Sequence, residues 1–198
     1  AYTLLWPRWR STDPQLGTAI RKADGHMATE HTGLVTFQGG ALTLVGDAVA
    51  VGDPAPAFTI GSGLADLASL SDYAGKVVVL NVVPSLDTPV CDVQTRRFNE
   101  IATGAGDNVV VLTISMDLPP AQARWCGAAD AENVVCLSDY RDHSFGHAYG
   151  VYIKEIAILA RSVWVIDGPG VVQYKQIVPE TVDEPDYDAA VAAVEALA

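Results

Sequence analysis

Residues 77–91, VVVLNVVPSLDTPVC, constrain the fold more than any other stretch of this chain. Val77 to Val83 is an apolar run interrupted only by Asn81, and it reads as a buried strand. Pro84 ends it. Thr88-Pro89 then supplies a helix start, with Thr88 as N-cap and Pro89 at the first helical position. In that register Cys91 is the third residue of the helix, beside backbone N–H groups that have no partner within it. The positive end of the helix dipole favours a thiolate over a thiol there. As N-cap, Thr88 is expected to accept from the N–H of residue 90 or 91, leaving its hydroxyl proton for the sulfur or a bound oxygen. A lone cysteine is more often a buried apolar filler. Strand, proline, cap and cysteine together read as the mounting of a nucleophile.

The remainder alternates in the same way. Val35–Phe37 and Leu42–Leu44 flank Gln38-Gly39-Gly40-Ala41, a hairpin, and Thr59-Ile60 is a short extended piece. After Cys91 the pattern predicts a helix to about Ala102, with Val90, Gln94, Arg97, Phe98 and Ile101 at helical spacing. Strands are expected at Val109–Ser115 and Val134–Leu137. Asp117-Leu118-Pro119-Pro120 opens a second helix that reaches Trp125-Cys126-Gly127. One or two helical turns follow at His143–Tyr149. Ala160–Ile166 and Val171–Val178 form a hairpin about Asp167–Gly170, and a helix from about Tyr187 to Leu197 closes the chain. Strand–helix alternation implies parallel strands with crossovers, and the terminal hairpin makes the sheet mixed, so the class is α/β with a central mixed sheet between helices and an N-terminal β-hairpin.

At 198 residues one domain is expected, over 27–198. Residues 1–26 carry Trp6, Trp9, Arg8, Arg10, Arg21 and Lys22 with only two acids, and show no repeating apolar face. Met27 followed by Ala28-Thr29-Glu30 resembles a start, so 1–26 is expected to be a poorly ordered, non-catalytic leader. The net charge of −12 argues against nucleic acid and against anionic membranes. No apolar run approaches the roughly 18–20 residues of a spanning helix. Three cysteines, without the dense spacing of a secreted scaffold, point to a reducing, cytoplasmic setting.

Cys126 lies 35 residues after Cys91 (126 − 91), in a Trp-Cys-Gly setting, and Cys136 lies within an apolar strand, where a small core residue is the simplest reading. His143 and His147, at i and i+4, share a helix face, but no third ligand is spaced to complete a metal site, and surface histidines are the commoner case. No bound cofactor or metal is expected. A Cys-x-x-Cys pair, a nucleotide fingerprint and a nucleophile elbow are all missing.

PSLDTPVC fits the peroxiredoxin pattern Pro-x-x-x-Thr-x-x-Cys, and the chain resembles the bacterial thiol peroxidases, atypical two-cysteine peroxiredoxins. The resemblance runs from about Val35 to the C-terminus. It includes VTFQG (35–39), RRFNE (96–100), RWCGA (124–128), AYGV (148–151), LARSVWVID (159–167) and VPE (178–180). Departures are Gly40-Ala41 where the family often has Asn-Pro, Trp125 where Phe is common, and Cys136, to which no family role transfers.

The resemblance implies a thioredoxin-like fold and a peroxidase of hydrogen peroxide and organic hydroperoxides. Cys91 would be the peroxidatic nucleophile and pass through a sulfenic acid. Thr88 would hydrogen-bond the reacting atoms, Pro84 would shield them, and Arg161 would stabilise the thiolate. Cys126 would resolve the sulfenic acid as an intrachain Cys91–Cys126 disulfide, leaving Cys136 free. Thioredoxin as reductant and a homodimer are implied in the same way. Closing that disulfide requires Cα atoms within about 7 Å, so local unwinding is expected around one or both helices. A non-enzymatic redox sensor would keep the same cysteine pair, and is the alternative.

Overall fold

A computed structural model describes residues 29–197; the expected leader at 1–26 lies outside them. Strand β1 (Glu30–Phe37) turns at Gln38-Gly39 into β2 (Gly40–Val45). Both turn residues have positive φ, which the glycine adopts without a Cβ penalty. The Glu180 carboxylate clamps this turn, accepting from the N–H groups of Gln38 (2.9 Å) and Gly39 (3.0 Å) and from the Thr36 hydroxyl (2.8 Å). Its partial burial opposes ionisation, yet these donors hold its pKa below the usual carboxylate range.

The chain continues through β3 (Thr59–Gly61), β4 (Leu67–Ser69), a 3₁₀ turn at Leu70–Tyr73, β5 (Val77–Val82) and α1 (Pro89–Gly104). It then forms β6 (Val109–Ser115), α2 (Pro119–Ala129), β7 (Val134–Ser138) and α3 (Ser144–Ala148). The last part is β8 (Tyr152–Ile153), β9 (Ile158–Leu159), β10 (Ser162–Ile166), β11 (Val172–Ile177) and α4 (Tyr187–Glu195). Seven strands form one sheet in the order β11-β10-β5-β6-β7-β3-β4, and β1-β2-β8-β9 form a second. The pairs β5·β6 and β6·β7 are parallel, while β10 runs antiparallel to both β5 and β11. The mixed α/β sheet and the N-terminal hairpin are therefore as expected. The two-residue strands β8 and β9 were not anticipated, because so short a pair carries no periodicity.

Strand parity sorts the core. Val78, Leu80 and Val82 of β5 face one side, with Leu112, Ile114, Trp164 and Ile166, and pack under the small sheet and α3. Val77, Val79 and Val83 face the other, with Val111, Val163 and Val165, beneath α1, α2 and α4. Asn81 falls on this second side by the same alternation. So does Arg161, two residues before Val163 and just outside β10. The central strand is thus apolar on both faces except where its polar residue looks toward α1.

Asp139, which follows β7 and is 1% exposed, holds the start of α3 by accepting from the N–H groups of Phe145 (3.0 Å) and Gly146 (2.8 Å). Burial pushes its pKa from 3.8 up to about 7 against those two donors, with Asp142 adding to the rise. A folded-state pKa above the unfolded one means that the folded chain binds this proton more tightly. Its contribution to stability is full below about pH 4 and is lost as pH rises through about 7. Asp139→Asn should remove that slope. The wild-type stability minus that of the variant, from urea midpoints, should fall by at most on the order of 4 kcal/mol between pH 4 and 7. A difference that is flat across this range would mean that the carboxylate is charged throughout it.

His143 and His147 are half-buried rather than surface residues, because both rings lie against Tyr152, at 5.1 and 4.9 Å between centroids. Among the described residues no three His, Cys, Asp or Glu groups are placed to hold a metal ion. Nor is any described helix long and apolar enough to cross a membrane.

Candidate active site

The helix carrying Cys91 starts where the sequence places it, with Thr88 in extended backbone at the N-cap and Pro89 in the first turn. Its buried residues are Cys91, Gln94, Thr95 and Phe98, an i, i+3, i+4, i+7 stripe in which two positions are polar. The Thr88 side chain caps differently from expectation. It makes no hydrogen bond to the helix N–H groups, and its hydroxyl donates instead to the Ser85 carbonyl at 2.9 Å. The proton expected for the sulfur is therefore spent within the turn. Pro84 is buried at the end of β5, and Thr88 is exposed.

Asp117 holds this turn from across the sheet. Rather than opening α2, whose N-cap is Leu118, its carboxylate accepts from the Ser85 hydroxyl (2.7 Å), the Leu86 N–H (2.8 Å) and the Ser115 hydroxyl (2.8 Å). An Asp beside two prolines suggests a helix cap, and two of its actual partners lie about 30 residues upstream, where they were not legible locally.

Cys91 is fully buried, and Arg161, 2% exposed, brings Nη2 to 3.4 Å from its sulfur. The guanidinium also donates through Nε to the Thr181 carbonyl (3.0 Å) and through Nη1 to the Gln94 side-chain oxygen. The Gln94 amide donates on to Asn81 Oδ1 (2.6 Å), and Asn81 Nδ2 donates to Thr113 (3.1 Å) and Thr95 (3.3 Å). Every member of this chain is buried. Among the described residues Arg161 has no carboxylate partner; the ion pairs that form there join other residues. A buried cation without an anion costs several kcal/mol, so the pocket suits an anion beside the guanidinium.

Cys126 is not brought to Cys91. It sits in the last turns of α2, which is fastened to α1 by Trp125 Nε1 donating to Asp92 (3.0 Å), by Arg96 donating to the Ala129 carbonyl (3.0 Å) and by the Arg96 guanidinium over the Trp125 ring. Its sulfur lies 3.0 Å from that of Cys136. The Cys136 thiol, donating, lowers the pKa of Cys126, while that same bond, then burial, then the charges of Cys126 and Asp117 push Cys136 far up. Cys136, expected as a plain core residue, is half-buried and half of a cysteine pair.

The Redoxin family matches residues 50–191. The chain is 55% identical to a thiol peroxidase of Bacillus subtilis over 163 residues, 82% of this chain and 97% of that protein. A thiol peroxidase of Staphylococcus aureus is 51% identical over 80% of this chain and 96% of its own length. The chain belongs to the thiol peroxidase family. A peroxiredoxin-like protein from Aquifex aeolicus superposes with a TM-score of 0.78 at 41% identity, covering 85% of this chain and 99% of that one. A thiol peroxidase from Chromobacterium violaceum shares the fold, with a TM-score of 0.73 at 22% identity over 82% of this chain and 95% of its own. The fold is thioredoxin-like, and the protein is a thiol-dependent peroxidase, an oxidoreductase acting on a peroxide at the expense of a thiol.

Proposed function

We propose that Cys91 is the peroxidatic nucleophile of this thiol peroxidase. The observation that carries the reading is the buried Arg161, whose guanidinium faces the Cys91 sulfur and no carboxylate among the described residues. The thiolate attacks the terminal oxygen of hydrogen peroxide or an organic hydroperoxide. An S–O bond forms, the O–O bond breaks, and water or an alcohol leaves after taking a proton, with Cys91 left as a sulfenic acid. Arg161 holds the charge before attack and is placed beside the oxygens as charge moves onto them. Pro84 covers the site. Thr88, its own proton donated to Ser85, retains an oxygen lone pair for the peroxide proton.

Cys126 then condenses with the sulfenic acid, releasing water and forming the Cys91–Cys126 disulfide. Its sulfur must first leave Cys136, so the end of α2 unwinds. Gly127 within that turn weakens the helix by about 1 kcal/mol relative to alanine. Asp130, in left-handed backbone at the C-cap, and Ala131 close it, both donating their N–H groups to the Cys126 carbonyl. The reductant is a dithiol of the thioredoxin class, in the reducing setting of a cytoplasm, and the working unit is a homodimer.

The test is peroxide consumption coupled to thioredoxin and its reductase. Cys91→Ser should abolish turnover. Cys126→Ser should consume about one peroxide per chain and then stall. Undiminished turnover in the Cys91 variant ends the reading. A wild type that reacts once and is not recycled would make the protein a sensor.

A further inference from the structure

Cys136 has a use that the two-cysteine cycle leaves out. Cys126 lies near the end of α2 and Cys136 in the middle of β7, ten residues on (136 − 126), and their sulfurs meet at 3.0 Å with the thiols reduced. The two side chains pack with Trp125 and Ala129 against the same apolar layer as Cys91, on the α1 side of the sheet. No comparable contact joins Cys126 to Cys91. With α2 wound, the nearest sulfur to Cys126 is therefore that of Cys136. A Cys91–Cys126 bond holds α2 away from this arrangement.

From this geometry we infer that Cys136 is a second resolving cysteine, which takes the disulfide over from Cys91 and leaves Cys126–Cys136 as the species presented to the reductant. The inference rests on the peroxidatic reading of Cys91. Cys136 loses its proton to solvent and attacks the Cys126 sulfur of the Cys91–Cys126 disulfide. The new S–S bond forms as the old one breaks, and Cys91 departs with the electron pair as a thiolate. Nothing is oxidised or reduced overall, because one disulfide replaces another, and the two-electron reductant is still the dithiol that ends the cycle. Attack at Cys126 rather than Cys91 is favoured twice. The expelled thiolate is received by Arg161, and α2 rewinds onto contacts it already makes. The hydrogen bond to Cys126, the foremost reason that Cys136 retains its proton, is absent once Cys126 is in a disulfide. Deprotonation of Cys136 is thereby tied to the preceding step.

Cys91 is thus freed before reduction, and the stoichiometry changes. Without reductant, wild type should consume about two peroxides per chain, and Cys136→Ser about one. The wild-type product reads this out without any variant. Protein given one equivalent of hydrogen peroxide is quenched in denaturant with an alkylating agent and digested with trypsin. Residues 125–141 then form one peptide carrying both Cys126 and Cys136, and 77–96 another carrying Cys91. The expected result is an unalkylated 125–141 peptide two hydrogens lighter, beside an alkylated Cys91. A second equivalent given with dimedone should add the reagent to Cys91 in the same chains. In Cys136→Ser the 77–96 and 125–141 peptides should be cross-linked. A wild-type Cys91–Cys126 cross-link with Cys136 alkylated overturns the relay and leaves the peroxidatic reading intact. Formation of Cys126–Cys136 at an unchanged rate in Cys91→Ser also overturns it, since the pair would then be oxidised directly. Failure of the peroxidatic reading itself is distinct: the Cys91 variant would keep turning over.

Discussion

Replacing Arg161 with methionine is expected to lower kcat/KM for hydrogen peroxide by about 10²–10³-fold, the usual cost of removing one preorganised donor from a charge-stabilising site. The guanidinium faces the buried Cys91 sulfur at 3.4 Å, so in the proposed mechanism its loss removes both the stabilisation of the thiolate and the donor beside the breaking O–O bond. Arg161→Lys should recover only part of the rate. An ammonium keeps the charge but cannot reach Cys91, Gln94 and the Thr181 carbonyl together, as the planar fork does. The methionine variant also leaves the Gln94 oxygen and the Thr181 carbonyl without their donor, at about 1–3 kcal/mol each. Urea midpoints measured beside the kinetics separate that effect from the chemical one. Turnover within threefold of wild type in a folded Arg161→Met protein would mean that the cation does not serve the thiolate.

The parts of the molecule that are periodic were readable in advance. Val77–Val82, Val109–Ser115 and the hairpin about Asp167–Gly170 announce themselves by β-branched runs and turn residues, and Thr88-Pro89 by cap chemistry. The site was legible only where its signal is local. Cys91 follows from its place in the helix. Arg161 does not: next to an apolar strand it is simply a basic residue, and only likeness to a family singled it out. Asn81 was visible as a flaw in an apolar run and Gln94 as a helix position, but that the two meet is decided by strand parity and by the docking of α1, which no short window contains. Asp117-Leu118-Pro119-Pro120 does open α2, but the work of the Asp117 carboxylate was hidden, since two of the three donors that claim it come from the Ser85 turn. Cys136 was undervalued because an apolar strand hides which sulfur lies across from it.

Gln94 gives the sharpest test of how the buried polar chain works, since it joins Arg161 to Asn81 and makes no hydrogen bond to the sulfur. Gln94→Leu removes a donor and an acceptor together. Arg161 Nη1 and Asn81 Oδ1 then lack these partners in the buried core, and a loss of about 2–5 kcal/mol is expected in urea unfolding. Gln94→Glu separates charge from packing. Its carboxylate accepts from Arg161 as the amide oxygen did, and a flip of the Asn81 amide restores a donor on the other side, with the Thr95 and Thr113 hydroxyls turning to donate. Stability should therefore fall less than in the leucine variant. The guanidinium, however, now faces a permanent anion, with which the proposed Cys91 thiolate must compete. Peroxide kcat/KM should drop by about tenfold or more while the protein remains folded, and the rate of Cys91 alkylation at pH 7 should drop in parallel. A purely structural Gln94 predicts instead that activity follows stability, with the glutamate variant more active than the leucine variant and alkylating like wild type. If that order is found, Arg161 is not tuned through its amide partner, and the neutral partner at this position is there for packing alone.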